Sequence, residues 1–174
     1  MSKKTKSITL TALISALAVV ILYVASVWPT GRIGLVAVAS VFTAAAVIEA
    51  GIRPGIYVFI VSSALGLLLI PEKSAALLYI VFFGYYPVIK SLIERIKGIV
   101  LQYALKLIVF NAAFTVVLFL LRALILGGYS VLPGVAVLYP GGNVVFLLFD
   151  YGFSKLIWFY INRVSKNVFK GNSR

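Results

Sequence analysis

Cysteine and histidine are both absent from this chain of 174 residues, and only four residues are acidic. Without cysteine the chain has no disulfide and no thiolate, and without histidine it lacks the commonest general base and metal ligand. The carboxylates do not pair along the sequence, and neither a serine-nucleophile motif nor a glycine-rich phosphate loop followed by lysine occurs. The sequence therefore predicts a protein that is not an enzyme and that has no metal or cofactor of its own.

Charge is also scarce, since charged residues make up 11% of the chain against about 25% in average proteins. Hydrophobic residues make up 63%, and the mean hydropathy is +1.12. A soluble domain of this size could not cover so much apolar surface, so the sequence predicts a protein that sits in a lipid bilayer. The apolar runs do not alternate with polar residues as barrel strands would, which favours helices.

We predict an all-α integral membrane fold, a bundle of six transmembrane helices that forms a single domain over residues 1–174. A span needs roughly 20 residues to cross the hydrocarbon core. The predicted spans lie near residues 8–28, 33–52, 54–70, 75–90, 100–126 and 143–163. Between spans four and five, the segment 91–98 has apolar residues on one face and charges on the other, which predicts a short interfacial helix. The stretch 127–142 is rich in glycine, proline and tyrosine and predicts a loop that is partly re-entrant.

The net charge of +12 comes from basic residues at the predicted helix ends. In a soluble protein such a charge would suggest nucleic acid, but here it indicates topology and contact with the lipid bilayer, so we predict no nucleic-acid partner. Placing the N-terminus inside leaves twelve of the sixteen basic residues on the cytoplasmic side and three outside, with Lys155 inside the sixth span. The bias predicts that both termini are cytoplasmic.

Polar residues at membrane depth are costly and therefore mark candidate sites. Asp150 is the only aspartate and lies near the middle of the sixth predicted span, with Asn111 at a similar depth in the fifth. Lys155 is too far along and around the helix to pair simply with Asp150. Asp150 and Lys155 either bond neighbouring helices and hold the bundle together, or Asp150 contacts a ligand or an ion.

A second group of polar and aromatic residues lies toward the predicted outer side. Aromatic residues at this level form either the interfacial belt or a stacking pocket for a flat substrate. Arg122, near the outer end of the fifth span, either snorkels to headgroups or binds an anionic substrate. The predicted outer loops hold Trp28, Arg32, Tyr129, Tyr139 and Asn143, and Tyr79 lies one turn into the fourth span from the same side. The candidate substrate-binding residues are Trp28, Arg32, Tyr79, Asn111, Arg122, Tyr129, Asn143 and Asp150.

Small residues recur at helical spacing in the first predicted span, where Ala12 and Ala16 form an Ala-x-x-x-Ala step beside Ser15. This spacing lets helix backbones approach closely in lipid. With its lysine-rich start, its short length and its six spans, the chain resembles the substrate-binding S components of energy-coupling factor (ECF) transporters. The resemblance implies that Ala12, Ser15 and Ala16 contact a transmembrane coupling subunit, which works with ATPase subunits.

The resemblance also implies the function of a subunit that binds a scarce micronutrient from outside a bacterial cell. The pocket would be closed by the loops near residues 28–34 and 127–142, and the chain would lie in the plasma membrane with many passes. The identity of the small-molecule substrate stays open. A function of another class fits the same composition, namely a scaffold similar to the small six-span proteins that help to position bacterial cell-wall synthesis.

Overall fold

The computed structural model describes residues 3–124 and 132–165, and over these residues it is helical with no strand. Six stretches within the described ranges are long and apolar enough to cross a membrane. They are Thr5–Val27, Arg32–Ala50, Ile52–Leu69, Lys73–Ile93, Ile99–Phe119 and Val137–Arg163. The prediction of an all-α chain with six helices of membrane-spanning length is therefore confirmed.

Seven α-helices and three short segments build these stretches within the described residues. The helices are α1 (Lys3–Val27), α2 (Arg32–Ala50), α3 (Ile52–Leu69), α4 (Lys73–Leu78), α5 (Tyr86–Ile93), α6 (Ile99–Leu124) and α7 (Leu132–Tyr160). A 3₁₀ turn at Pro29–Gly31 joins α1 to α2, and π-helical segments occupy Tyr79–Phe83 and Ile161–Ser165. The fourth span is thus interrupted, since α4, the first π segment and α5 follow one another along it.

The structure does not show the short interfacial helix that was predicted near residues 91–98. Helix α5 ends at Ile93, and residues 94–98 form a turn in which the Ile96 amide donates to the Ile93 carbonyl at 3.0 Å. Gly98 closes the turn at φ 106°, a conformation that only glycine adopts without strain. The charges and apolar residues of this segment therefore lie on the end of α5 and on a turn.

The loop predicted over residues 127–142 is wrong from Leu132 onward, because α7 begins there. The earlier part of that stretch lies outside the described residues. Pro133 falls in the first helical turn, where a missing N–H costs nothing. Pro140 lies inside α7, and prolines are tolerated in membrane helices because neighbouring groups satisfy the freed carbonyl. Proline and glycine are thus weaker breakers in this apolar run than the prediction assumed.

The chain divides into two compact units, the first comprising Met1–Leu92 with Leu156–Arg174 and the second Ile93–Lys155. The core of the first unit combines large and small side chains from α1, α2, α4 and the segments around them. Its buried members are Leu22, Ala25, Val36, Ala39, Ile70, Ala75, Ala76 and Tyr79. Four of these eight residues are alanines, which lets the backbones of neighbouring helices approach closely. The single-domain interpretation of the whole chain stays a prediction.

Helix ends in the first unit are set by glycine and lysine. Gly51 alone separates α2 from α3, with φ 98° and ψ 179°, and its amide donates to the Val47 carbonyl at 3.1 Å. Such a backbone conformation is open only to glycine. At the far end of α3 the Lys73 ammonium donates to the carbonyls of Leu67 and Ile70 at 2.6 and 2.7 Å. A cation at this position satisfies carbonyls that the helix leaves without partners.

Candidate functional site

The eight predicted substrate-binding residues are spread over both units. Trp28, Arg32 and Tyr79 belong to the first unit, whereas Asn111, Asn143 and Asp150 belong to the second. Arg122 is in the last described turn of α6, and its side chain is outside what the structure describes, as is the whole of Tyr129. Among the described members a hydrogen bond joins Asn111 to Asn143, and a single pocket that joins all eight stays a prediction.

Arg32 opens α2 and is tied to the segment that begins α4. One terminal nitrogen of its guanidinium donates to the Ser74 hydroxyl at 2.6 Å, and the other lies 2.5 Å from a carboxylate oxygen of Glu72. The Arg32 side chain is 25% exposed and that of Glu72 is 45% exposed. Trp28, just before the 3₁₀ turn, is 64% exposed. A ligand that used Arg32 would have to compete with Glu72 for the guanidinium.

Tyr79 lies in the core of the first unit and is fully buried. Its hydroxyl pairs with the Thr43 hydroxyl on α2 at 2.7 Å, and Ser62 on α3 is a further hydrogen-bond partner. Gly84 lies against the ring: a Cβ there would be 2.7 Å from both the Tyr79 and Phe59 rings. In this structure Tyr79 therefore joins three helical segments and does not line an open surface. The sequence could not distinguish a buried Tyr79 from one that lines a pocket, because in either case it lies one turn inside an apolar span.

Asn111 on α6 and Asn143 on α7 form a reciprocal amide pair in the second unit. Each amide nitrogen donates to the other side-chain oxygen, at 2.8 and 3.1 Å. Each nitrogen also donates to a carbonyl of its own helix four residues earlier, at 2.8 Å in both cases. All four amide N–H donors are thereby used. The two predicted residues do lie together, but Asn143 lies on a helix and not in an outer loop.

One turn further along the same two helices, the Thr115 and Tyr139 hydroxyls are 2.7 Å apart. Aromatic rings fill the space beside these polar contacts. The rings of Phe110 and Phe146 stack with centroids 4.5 Å apart, and Phe114 meets Tyr139 edge-on at 5.3 Å. Polar and aromatic contacts together hold α6 against α7 over several turns, as interhelical hydrogen bonds and packing do in membrane bundles.

Asp150 pairs with Lys106, which in the sequence counted only among the basic residues that indicate topology. The Lys106 ammonium is 3.0 Å from an Asp150 oxygen on α7 and 2.8 Å from a Glu94 oxygen in the turn before α6. The side chains of Lys106 and Asp150 are only 5% and 3% exposed, whereas Glu94 is 42% exposed. One buried ammonium is thus shared between an exposed and a buried carboxylate.

The prediction that Asp150 and Asn111 lie at a similar depth is therefore wrong. Lys106, the partner of Asp150, lies nearer the start of α6 than Asn111 does. Lys155 does not replace Lys106 in this role, since it is exposed and its ammonium lies over the Tyr151 ring at 5.5 Å. The useful signal in the sequence was that Lys106 is too deep in an apolar run to be a simple interfacial cation. A buried lysine needs a carboxylate, and few carboxylates are available.

The predicted partner-binding residues on α1 divide into two kinds. Ala12 and Ala16 are exposed, and they lie along a stripe with Leu13, Leu17 and Val20, which are 58%, 43% and 57% exposed. Ser15 is only 2% exposed, and its carbonyl accepts a long hydrogen bond of 3.4 Å from Ser62. In the described structure Ser15 belongs to the internal packing, whereas the two alanines are accessible.

Within the described residues no group of three or more histidine, cysteine, aspartate or glutamate side chains is placed to hold a metal ion. The asparagine, threonine and tyrosine side chains described for α6 and α7 bond to one another and to carbonyls of their own helices. Comparisons with protein-family models, with curated proteins and with solved structures each gave no match to this chain.

Proposed function

We propose that this chain is a multi-pass protein of a bacterial plasma membrane with both termini in the cytoplasm. Six helices of sufficient length and apolar character support insertion into a bilayer. The excess of basic residues at one set of helix ends supports the orientation. Reporter fusions test it: a fusion after Lys73 should report the outside and a fusion after Lys97 the cytoplasm. The reverse pattern at either position would overturn the topology.

We further propose that the chain is the substrate-binding subunit of an ECF-type transporter for a small molecule. The observation that carries this proposal is the exposed stripe on α1, where Ala12 and Ala16 leave a shallow surface between larger apolar residues. Small residues at this spacing allow a helix of a second membrane protein to approach closely. A coupling subunit that transmits the action of ATPases is the partner that this function requires.

The docking stripe is tested by co-purification with an ECF coupling subunit and its ATPases from the same cells. The Ala12→Trp/Ala16→Trp double variant should lose the complex, because two indoles would hold the partner helix away. Leu68→Trp is the matched control, since Leu68 is 76% exposed at the end of α3 and faces no stripe of small residues. Both variants should keep the folded monomer. Recovery of cell-wall synthesis proteins in place of ATPases would favour a scaffold.

Ligand binding is tested separately by native mass spectrometry of the protein as purified from cells. A ligand that reached the Asn111–Asn143 pair would have to replace the two bonds between their amides. Asn143→Asp should then weaken retention of the ligand while Trp158→Phe, an exposed aromatic position on the same helix, should not. Absence of any small molecule under conditions in which the coupling subunit co-purifies would contradict a binding site there.

A further inference from the structure

The turn between α5 and α6 separates four neighbouring basic residues into two kinds. Lys90 and Lys106 are buried, with 2% and 4% of their surfaces exposed. Arg95 and Lys97 in the turn are exposed, and neither has a hydrogen-bond or ion-pair partner among the described residues. From the sequence alone all four count equally toward the positive charge of the cytoplasmic side. The structure leaves only two of them available to a partner outside the chain.

The Glu94 side chain is 42% exposed, and its carboxylate would halve the charge of this turn if no internal cation countered it. Instead it lies 2.8 Å from the Lys106 ammonium, which counters its charge from inside the second unit. The outward charge of the turn therefore comes from Arg95 and Lys97 together. Because the Lys106 ammonium offsets the charge of Glu94, Arg95 and Lys97 form a stronger cationic patch than the local sequence suggests.

Apolar residues flank the two cations and are themselves exposed. Ile96 is 38% exposed, Ile99 is 67% exposed and Val100 is 80% exposed. The backbone of the turn is held in place, since the Gln102 amide side chain donates to the Ile96 carbonyl at 2.8 Å and its backbone amide to the Gly98 carbonyl at 3.1 Å. A fixed turn that presents two cations beside exposed isoleucine and valine has the chemistry of a site at the headgroup level of a bilayer.

We propose that this turn, defined by Arg95, Ile96, Lys97, Ile99 and Val100, binds the headgroup of an anionic phospholipid in the cytoplasmic leaflet. The phosphate lies against the two cations, and the acyl chains lie along the exposed start of α6. Charge complementarity selects an anionic lipid over a zwitterionic one. The proposal rests on the membrane insertion and orientation proposed above, and it requires neither a substrate nor a coupling subunit.

The lipid preference can be measured with a tryptophan placed in the patch. Val100→Trp in a Trp28→Phe/Trp158→Phe background leaves one reporter, because the chain has only two tryptophans. The protein is reconstituted in phosphatidylcholine vesicles, and the fluorescence is quenched with either brominated phosphatidylglycerol or brominated phosphatidylcholine. Each cation near an anionic surface contributes roughly a fivefold preference, so both should favour the anionic lipid by up to about 30-fold at low salt.

Charge variants then decide whether the turn causes the preference. Arg95→Gln/Lys97→Gln should bring the ratio of the two quenching constants close to one, and each single change should lower it about fivefold. Arg95→Lys/Lys97→Arg keeps both charges and should keep the preference. Arg53→Gln removes another exposed cation, from α3, and should leave the ratio unchanged.

Equal quenching by the two lipids in the starting protein would overturn the proposal. So would a preference that survives in the double glutamine variant, or one that Arg53→Gln lowers as strongly. These outcomes are independent of transport, because no substrate or partner protein is present. Loss of the lipid preference with ATPases still co-purifying would refute this site alone, and an intact preference without any ATPase would refute only the transport function.

Discussion

Lys106→Met is the sharpest test of the buried charges between α6 and α7. The variant keeps most of the side chain's length and removes the ammonium, so Asp150 and Glu94 lose a counter-ion that lies 3.0 and 2.8 Å away. The Asp150 side chain is only 3% exposed, so water cannot take the place of the ammonium. Removing one member of a buried ion pair should lower the free energy of unfolding by about 3–5 kcal/mol.

Neutralising Asp150 or Glu94 should lower the free energy of unfolding by less than Lys106→Met does. Asp150→Asn leaves Lys106 with Glu94 as a counter-ion, so the loss should be about 1–3 kcal/mol. Glu94 is 42% exposed, and Glu94→Gln should cost no more than about 1 kcal/mol. In Lys106→Met/Asp150→Leu both charges of the buried pair are gone, so this double variant should be more stable than Lys106→Met alone.

The free energies can be measured by titrating detergent-solubilised protein with sodium dodecyl sulfate while tryptophan fluorescence is followed. Lys155→Met is the matched control, since it makes the same change at an exposed lysine of α7 that contacts only an aromatic face in the described structure. It should shift the free energy by less than about 1 kcal/mol. If Asp150→Asn cost as much as Lys106→Met, or if the double variant were no more stable than Lys106→Met, the shared ammonium would be refuted.

Three further changes test other contacts by the same titration. Asn111→Leu should lower the free energy of unfolding by about 1–2 kcal/mol because it leaves the Asn143 amide without its partner. The Asn111→Leu/Asn143→Leu double variant should be no less stable than the single one. A doubled loss would contradict a paired role. Gly51→Ala should cost about 1–3 kcal/mol because its backbone conformation excludes a Cβ, whereas helical Gly34→Ala, with nothing within 4 Å of the added atom, should be neutral or stabilising. Gly84→Ala should cost about 1–3 kcal/mol because the new methyl would collide with two aromatic rings, and an unchanged midpoint would show that the rings can move.

The six long apolar helices could be predicted because a helix of membrane-spanning length is defined by a property that adds along the chain. Each apolar residue contributes to the run, and an error of a few residues at the ends changes little. Two local predictions, the loop before Asn143 and the surface helix near residue 95, were wrong for different reasons. Pro140 and its glycine neighbours suggested a loop, but the apolar context around them favours a helix. The charges near residue 95 suggested a surface helix, but Gly98 ends the structure too early for one.

The interruption of the fourth span could not be predicted, because no residue type encodes a π-helical segment. The extra residue of such a segment turns the chain so that Tyr79 faces Thr43 and Ser62 while Gly84 takes the space beside its ring. That arrangement depends on where α2 and α3 lie. Tyr79 therefore looked like a residue of an outer pocket, although its hydroxyl is bonded inside the first unit.

Pairing across α6 and α7 was within reach of the sequence once one contact had been chosen. If Asn111 faces Asn143 on an antiparallel neighbour, a residue four positions later on α6 faces one four positions earlier on α7, which joins Thr115 to Tyr139 as observed. The same register sets Lys106 opposite a point two residues short of Asp150, or about 3 Å along the axis. A lysine side chain spans that distance easily. Estimated depth alone placed Asn111 level with Asp150 and missed the pair of Lys106 with Asp150. A depth counted from one helix end ignores the register of the neighbouring helix. That register is set by the buried polar groups that can satisfy each other's hydrogen bonds.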